Sequence, residues 1–206
     1  ENKKWAEVSY VHELPVVPKT EVNVIYRVEN TVEVKVTLKY NGKNGLPELP
    51  LFGMRFKFNK EYDKFKYFGR GAEENYIDRN MGARLDVFEK NVKDNLIPYL
   101  TPQECGGRTD VRWAEIRSAE GEGIRFRSEG ENFELSVLPY SFLELEQAGH
   151  QFELPEQNYT YATIIMKQMG VGGDDSWGAP VLEEFCIPSN VDYEYSFYIT
   201  KAGGEE

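Results

Sequence analysis

Val22-Asn23-Val24-Ile25-Tyr26-Arg27-Val28, then Glu29-Asn30-Thr31, then Val32-Glu33-Val34-Lys35-Val36-Thr37-Leu38-Lys39-Tyr40: apolar residues recur at every second position on both sides of a short polar break. A period of two puts successive side chains on opposite faces of an extended chain, so each half reads as a strand with one buried face. The Glu29-Asn30-Thr31 break supplies a turn, and the stretch predicts a long antiparallel hairpin.

The same period returns along the chain. After the Asn41-Gly42-Lys43-Asn44-Gly45 turn, Phe52, Met54, Phe56 and Phe58 point one way. Ile124 and Phe126 follow, then Phe133, Leu135 and Val137, then Ala162, Ile164 and Met166, and finally Tyr193, Tyr195, Phe197 and Ile199. Helix is scarce. Ser141 with Glu144 three residues on makes a capping box for a short connecting helix over 142–148, and Gly149 supplies the stop. No repeat, low-complexity tract or Gly/Ser linker divides the chain, so residues 1–206 read as one all-β domain, a large antiparallel β-sandwich.

Composition narrows the function classes. The 206 residues are enough to bury a substantial core. Asp and Glu outnumber Lys and Arg, 35 to 24, and a net charge of -11 argues against phosphate backbones and anionic membranes, so neither nucleic acid nor membrane is an expected partner. No run approaches the roughly 18 apolar residues of a membrane span, and Glu1-Asn2-Lys3-Lys4-Trp5 does not open a secretory h-region. The chain reads as soluble and cytoplasmic, although a signal peptide upstream of Glu1 would not be visible. With no initiator Met and a terminal Ala202-Gly203-Gly204-Glu205-Glu206 that looks frayed, it reads as a piece of something longer.

Cys105 and Cys186 stand far apart without a CxxC or Cys/His spacing, so they read as two reduced thiols. His12 and His150 are isolated, and no metal site is indicated.

Three segments carry the remaining signal, at 69–84, 100–113 and 170–180. In the first, Gly69-Arg70-Gly71-Ala72-Glu73-Glu74-Asn75-Tyr76-Ile77-Asp78-Arg79 crowds both signs of charge around an aromatic and an amide. In the second, Thr101-Pro102-Gln103-Glu104-Cys105-Gly106-Gly107-Arg108-Thr109-Asp110-Val111-Arg112-Trp113 does so with arginines and a tryptophan. Planar guanidinium groups fork onto carboxylates and loop carbonyls, so both segments read first as structural staples.

The third, Gly170-Val171-Gly172-Gly173-Asp174-Asp175-Ser176-Trp177-Gly178, frames two carboxylates and an indole with glycines. Two readings fit it. Trp177 offers a flat apolar plate beside hydrogen-bond acceptors, which suits the C–H face and hydroxyls of a sugar ring. Equally, Trp177 plugs a core edge while Asp174 and Asp175 cap neighbouring backbone N–H groups.

Taken together, the segments resemble the C-terminal domain of the β-galactosidases of glycoside hydrolase family two. That family's pattern runs GPxENYxDR, PQENGxRTDVRW, a YS step into a short helix, and MGxGGDDSWGP. Here Gly69 to Arg79, Pro102 to Trp113, Pro139-Tyr140-Ser141 and Met169 to Pro180 match it in order, within a likeness that spans about 5–199. Departures are Ala72 for Pro, Cys105 for Asn, and Ala179 inserted before Pro180.

The resemblance implies a galactose-mutarotase-like super-sandwich whose first part is absent here, so that this chain is the later portion of a C-terminal domain. It implies a parent that hydrolyses terminal β-D-galactosides such as lactose, with an acid/base Glu and a nucleophile Glu in a (β/α)₈ barrel that this chain lacks. Similarity to magnesium- and sodium-dependent enzymes places any metal ligands in that barrel, with no cofactor in this chain. It also implies a barrel partner, in the same chain or a partner subunit, and a homo-oligomeric parent.

Trp177 matches the tryptophan that stacks on substrate, and Gly172, Gly173, Asp174, Asp175, Ser176 and Gly178 match the frame around it. No catalytic residue is nominated, because retaining hydrolysis needs two carboxylates about 5–5.5 Å apart and the sequence singles out no such pair. Two other classes remain. One is a free-standing carbohydrate-binding module. The other is an aldose epimerase of the same general fold, in which His150 would have to sit in a concave pocket beside a carboxylate.

Overall fold

The computed structural model describes residues 5–30 and 32–203, and its strands fall into two antiparallel sheets. The strands are β1 (Ala6–Leu14), β2 (Thr20–Val28), β3 (Val34–Tyr40), β4 (Leu51–Asn59), β5 (Lys64–Gly71), β6 (Arg84–Asn91), β7 (Arg108–Val111), β8 (Trp113–Arg117), β9 (Gly123–Ser128), β10 (Phe133–Leu138), β11 (Tyr159–Gln168) and β12 (Tyr193–Lys201). One sheet has eight strands in the order β1-β2-β3-β12-β9-β8-β5-β6, and the other has four in the order β4-β11-β10-β7.

The hairpin read from Val22–Tyr40 is present: β2 pairs antiparallel with β3, from Val22 opposite Tyr40 to Val28 opposite Val34. Thr31, in its turn, lies outside the described residues, as do 1–4 and the Gly204-Glu205-Glu206 tail.

Every strand expected from alternation lies in a sheet, and the alternation marks the inner face. Val36, Leu38, Phe65, Tyr67, Ile116, Phe126 and Phe197 of the large sheet are buried in one cluster with Phe52, Leu135, Val137, Ala162 and Ile164 of the small one. Phe56 lies 4.8 Å, centroid to centroid, from Phe126 across the sheets. This shared apolar layer is the principal stabilisation, since burying such a side chain contributes about 1.5–3 kcal/mol.

The segments expected as loops at 69–84 and 100–113 are partly strand. β5 runs to Gly71, β6 begins at Arg84, and β7 with the start of β8 occupies 108–113. β7 carries no apolar alternation, because its first buried residue is a cation, Arg108.

The outer face of the small sheet is covered and not solvated. Register puts Glu134, Ser136 and Leu138 of β10 on one face with Ile165, Thr163 and Tyr161 of β11 and with Gly53, Arg55 and Lys57 of β4. Glu134, Ser136, Thr163 and Ile165 are buried there, although a solvated sheet face would leave them wet. The cover comes from the segments around residues 95–107 and 141–154. Cys105, Leu138 and Leu145 form a second apolar cluster, flanked by Leu96, Ile97, Tyr99, Tyr140 and Leu154.

The helix α1 (Phe142–Gln147) starts as expected. Ser141 Oγ accepts the Glu144 N–H at 3.2 Å, and Glu144 Oε2 accepts the Ser141 N–H at 2.7 Å. It is more than a connector, because Leu145 enters the second cluster and the Phe142 ring covers the Arg55 guanidinium at 3.2 Å.

Candidate functional site

The charged motifs of the first two segments are spent on joining loops. Glu74 Oε1 accepts from Arg79 at 2.7 Å and from the Tyr99 hydroxyl, while Oε2 accepts from the Gly106 N–H at 2.9 Å and the Tyr76 hydroxyl at 3.2 Å. Burial raises its pKa, but the bonds from Tyr99, Gly106 and Arg79 outweigh it and hold the carboxyl below its usual range. Asn75 Oδ1 accepts both the N–H and the hydroxyl of Thr109, at 3.0 and 2.6 Å.

Arg108, 1% exposed, donates to the Tyr67 hydroxyl at 2.8 Å, the Gly107 carbonyl at 2.8 Å and Asn95 Oδ1 at 2.7 Å. Asn95 in turn donates to the carbonyls of Gly106 and Val137. These groups form a rigid platform beside the small sheet.

The third segment leaves β11 at the end of that sheet and is pinned at its root. The N–H of Met169 donates to the Pro50 carbonyl at 2.9 Å and that of Gly170 to the Phe185 carbonyl at 3.0 Å. Asp78 Oδ2, arriving from the first segment, accepts the N–H groups of both Val171 and Gly172 at 2.8 Å. The loop then closes on itself. A Cβ at Gly173 would lie 2.3 Å from the Ala179 carbonyl oxygen, so only glycine permits this crossing.

Asp175 Oδ1 accepts the N–H of Trp177 at 2.8 Å and of Ala179 at 3.2 Å, which folds the tip, and Gly178 turns it with a φ of 103°. Gly172, Gly173, Asp174, Asp175, Ser176 and Gly178 are all exposed. Trp177 is 92% exposed. Of the two readings of this loop, the capping half of the second holds for Asp175, but the indole is not a core plug.

An open concavity of about 770 Å³ lies beside the loop root, lined by residues including Glu73, Asn75, Asp78, Arg79, Met81 and Arg84. Asp78 belongs to both the concavity and the tether. Trp177 is absent from that lining and stands out into solvent. No group of three or more His, Cys, Asp or Glu among the described residues could hold a metal ion. His150 lies on the surface beyond α1, its side chain 65% exposed, 3.2 Å from Glu153 and stacked on Phe152. Cys105 and Cys186 are buried and unpaired.

Glu134, opposite Ile165 of β11, is 9% exposed, and its carboxyl is pushed up to about 8 by burial, with the Gln168 N–H and the charge of Lys167 opposing the rise and the charge of Asp78 adding to it. The folded chain therefore holds a proton on Glu134 between about pH 4.5 and 8 that the unfolded chain releases, so the contribution of this one group to stability is full below the lower value and is lost as pH rises to and through the upper one. Glu134→Gln is expected to remove that decline, worth on the order of 5 kcal/mol, as read from urea midpoints at several pH values. An equal decline in the variant would assign it to other groups.

The family description "Beta galactosidase small chain" matches residues 1–199. A β-galactosidase of Halalkalibacterium halodurans is 42% identical over 197 residues, which are 94% of this chain and 19% of that protein. One from Streptococcus thermophilus is 42% identical over 193 residues, again 94% and 19%. A β-galactosidase small subunit of Latilactobacillus sakei is 33% identical over 210 residues, covering 97% of this chain and 65% of that subunit. The chain thus spans about a fifth of the length of the first two relatives. A solved structure titled a galactose mutarotase related enzyme, from Lactobacillus acidophilus, covers 98% of this chain and 72% of its own, at 14% identity and a TM-score of 0.43, too distant for anything to be transferred from it.

Proposed function

We propose, since this chain belongs to the β-galactosidase small-chain family, that it is the non-catalytic C-terminal portion of a family-two β-galactosidase acting on terminal β-D-galactosides such as lactose. Its contribution is a wall of the substrate pocket. Trp177 stacks on the sugar or its aglycone and Gly172, Gly173, Asp174, Asp175, Ser176 and Gly178 hold its angle, while the acid/base and nucleophile glutamates, with any metal ions, belong to a barrel in another part of the parent or in a partner subunit. The parent assembles as a homo-oligomer in the cytoplasm.

The observation that carries this reading is a large indole held in solvent on a loop whose root and tip are hydrogen-bonded. A side chain of that size left bare has no folding role to offset its hydration, whereas a plate presented at a fixed angle suits the apolar face of a pyranose. Position matters because a substrate clamped between two modules reacts as though at high local concentration.

Mixing this chain with a separately expressed catalytic portion of a β-galactosidase tests the reading through nitrophenyl galactoside cleavage. Activity that appears only on mixing is the expected result, and its absence over a range of concentrations counts against it. Alone, the chain should bind galactose no better than millimolar, since about a dozen heavy atoms at roughly 0.3 kcal/mol each yield only about 4 kcal/mol. Micromolar binding by calorimetry would favour a free-standing carbohydrate-binding module instead. The exposed position of His150 gives no support to an epimerase.

A further inference from the structure

Asp78 is the one side chain described both at the root of the Trp177 loop and in the wall of the neighbouring concavity. We propose that Asp78 is the positioning residue of the site: its carboxylate, carried by the segment after β5, fixes the root of the 170–180 loop through two consecutive backbone N–H groups and thereby sets where Trp177 stands. This rests on the stacking role assigned to Trp177 above.

Four features converge on this assignment. First, one oxygen, Oδ2, takes both donors at 2.8 Å across 93 and 94 residues of sequence, and hydrogen bonds to an ionised acceptor are about twice as strong as neutral ones. Second, the backbone is shaped to receive it, because a Cβ at Gly170 would lie 2.8 Å from Oδ2 and 2.9 Å from Cγ. Third, the other oxygen, Oδ1, is buried with no hydrogen-bond partner, a cost with no return unless the carboxylate is held there for the contact that Oδ2 makes. Fourth, the residues between the tether and Trp177 have little freedom of their own, since Gly173 is pressed against Ala179 and Asp175 fixes the Trp177 N–H. Fixing the root therefore fixes the indole. The segment that bears Asp78 is itself stapled to the platform through Glu74 and Asn75.

The experiment uses the intact β-galactosidase that carries this segment, with Asp78→Ala, Asp78→Asn, Val171→Pro and Trp177→Ala compared for kinetics on nitrophenyl galactoside and for amide exchange of the 170–180 peptide by mass spectrometry. Asp78→Ala should speed exchange of that peptide about tenfold and raise KM about fivefold, with kcat within about twofold. Asp78→Asn keeps an acceptor oxygen at the same place and should stay within about twofold of the parent in both readouts. A residue that served stability alone would lower the amount of folded enzyme and leave KM unchanged.

Val171→Pro removes one donor from the opposite side of the same contact, and it carries the test if Asp78→Ala does not fold: its KM should rise by about threefold. An unchanged KM in Asp78→Ala, or in Val171→Pro where that variant carries the test, overturns the proposal if Trp177→Ala raises KM. If Trp177→Ala itself leaves KM unchanged, the stacking reading has failed and the assignment of Asp78 falls with it.

Discussion

Trp177→Ala in the whole enzyme is expected to raise KM for lactose about thirtyfold. The indole is almost wholly exposed in this chain, so its removal costs the fold nothing that burial would have supplied. All of its effect should therefore appear in binding. Stacking an aromatic ring on a pyranose face buries apolar area on both partners, and a loss of about 2 kcal/mol corresponds to roughly thirtyfold in an equilibrium constant. Trp177→Phe keeps a smaller plate and should recover part of the loss. Because a stack formed equally in ground and transition states is uniform binding, kcat should change less than KM. An unaltered KM in Trp177→Ala would remove the stacking role while leaving the family assignment untouched.

Arg108→Ala is expected to destabilise the chain by about 3–5 kcal/mol, a large share of a typical domain's stability. The substitution empties the space of a long, fully buried side chain. It also strips donors from Asn95 Oδ1, the Tyr67 hydroxyl and the Gly107 carbonyl, none of which can turn to water. Arg108→Lys should be destabilised as well, by about 1–3 kcal/mol, because a single ammonium cannot span three acceptors set around a planar fork. Denaturant midpoints measure both, and a shift of under about 0.5 kcal/mol in Arg108→Ala would show the network to be dispensable. Since Arg108 and Asn95 brace the platform to which the Asp78-bearing segment is tied, a partial loss of folding should, on the proposed function, be accompanied by weaker substrate binding.

Much of the architecture was legible in residue order. Strands β2, β3, β4, β9, β10, β11 and β12 stand where apolar residues alternate, and α1 begins at its capping box. Three of the remaining strands, β1, β5 and β7, lack a clear apolar alternation for physical reasons. In β1 the alternation of Ala6, Val8 and Tyr10 is broken by Val11 and His12, and with every residue from Ala6 to Glu13 exposed the strand buries no face that would require a clean pattern. β5 alternates as Phe65, Tyr67, Gly69 and Gly71, and its last two inward positions are glycines that offer no apolar signal. β7 buries a cation.

The candidate loop was legible in a narrower sense. Glycines, paired aspartates and Trp177 marked a shaped loop, and the choice between presented plate and core plug stayed open because exposure is a property of packing. Asp78 gave no warning of its contact with Val171 and Gly172, since a bond across more than ninety residues leaves no periodicity.

Residue order by itself determined the class of fold, the helix start and the family, because alternation, capping and motif order are local or textual properties that survive without coordinates. Only the folded chain decided that the outer face of the small sheet is covered, that Glu74, Asn75 and Arg108 are used up in bracing loops, and that the indole faces water. Those outcomes depend on which distant segments come within hydrogen-bonding distance once both sheets have closed on a shared core, and long-range proximity is what a linear pattern cannot encode one segment at a time.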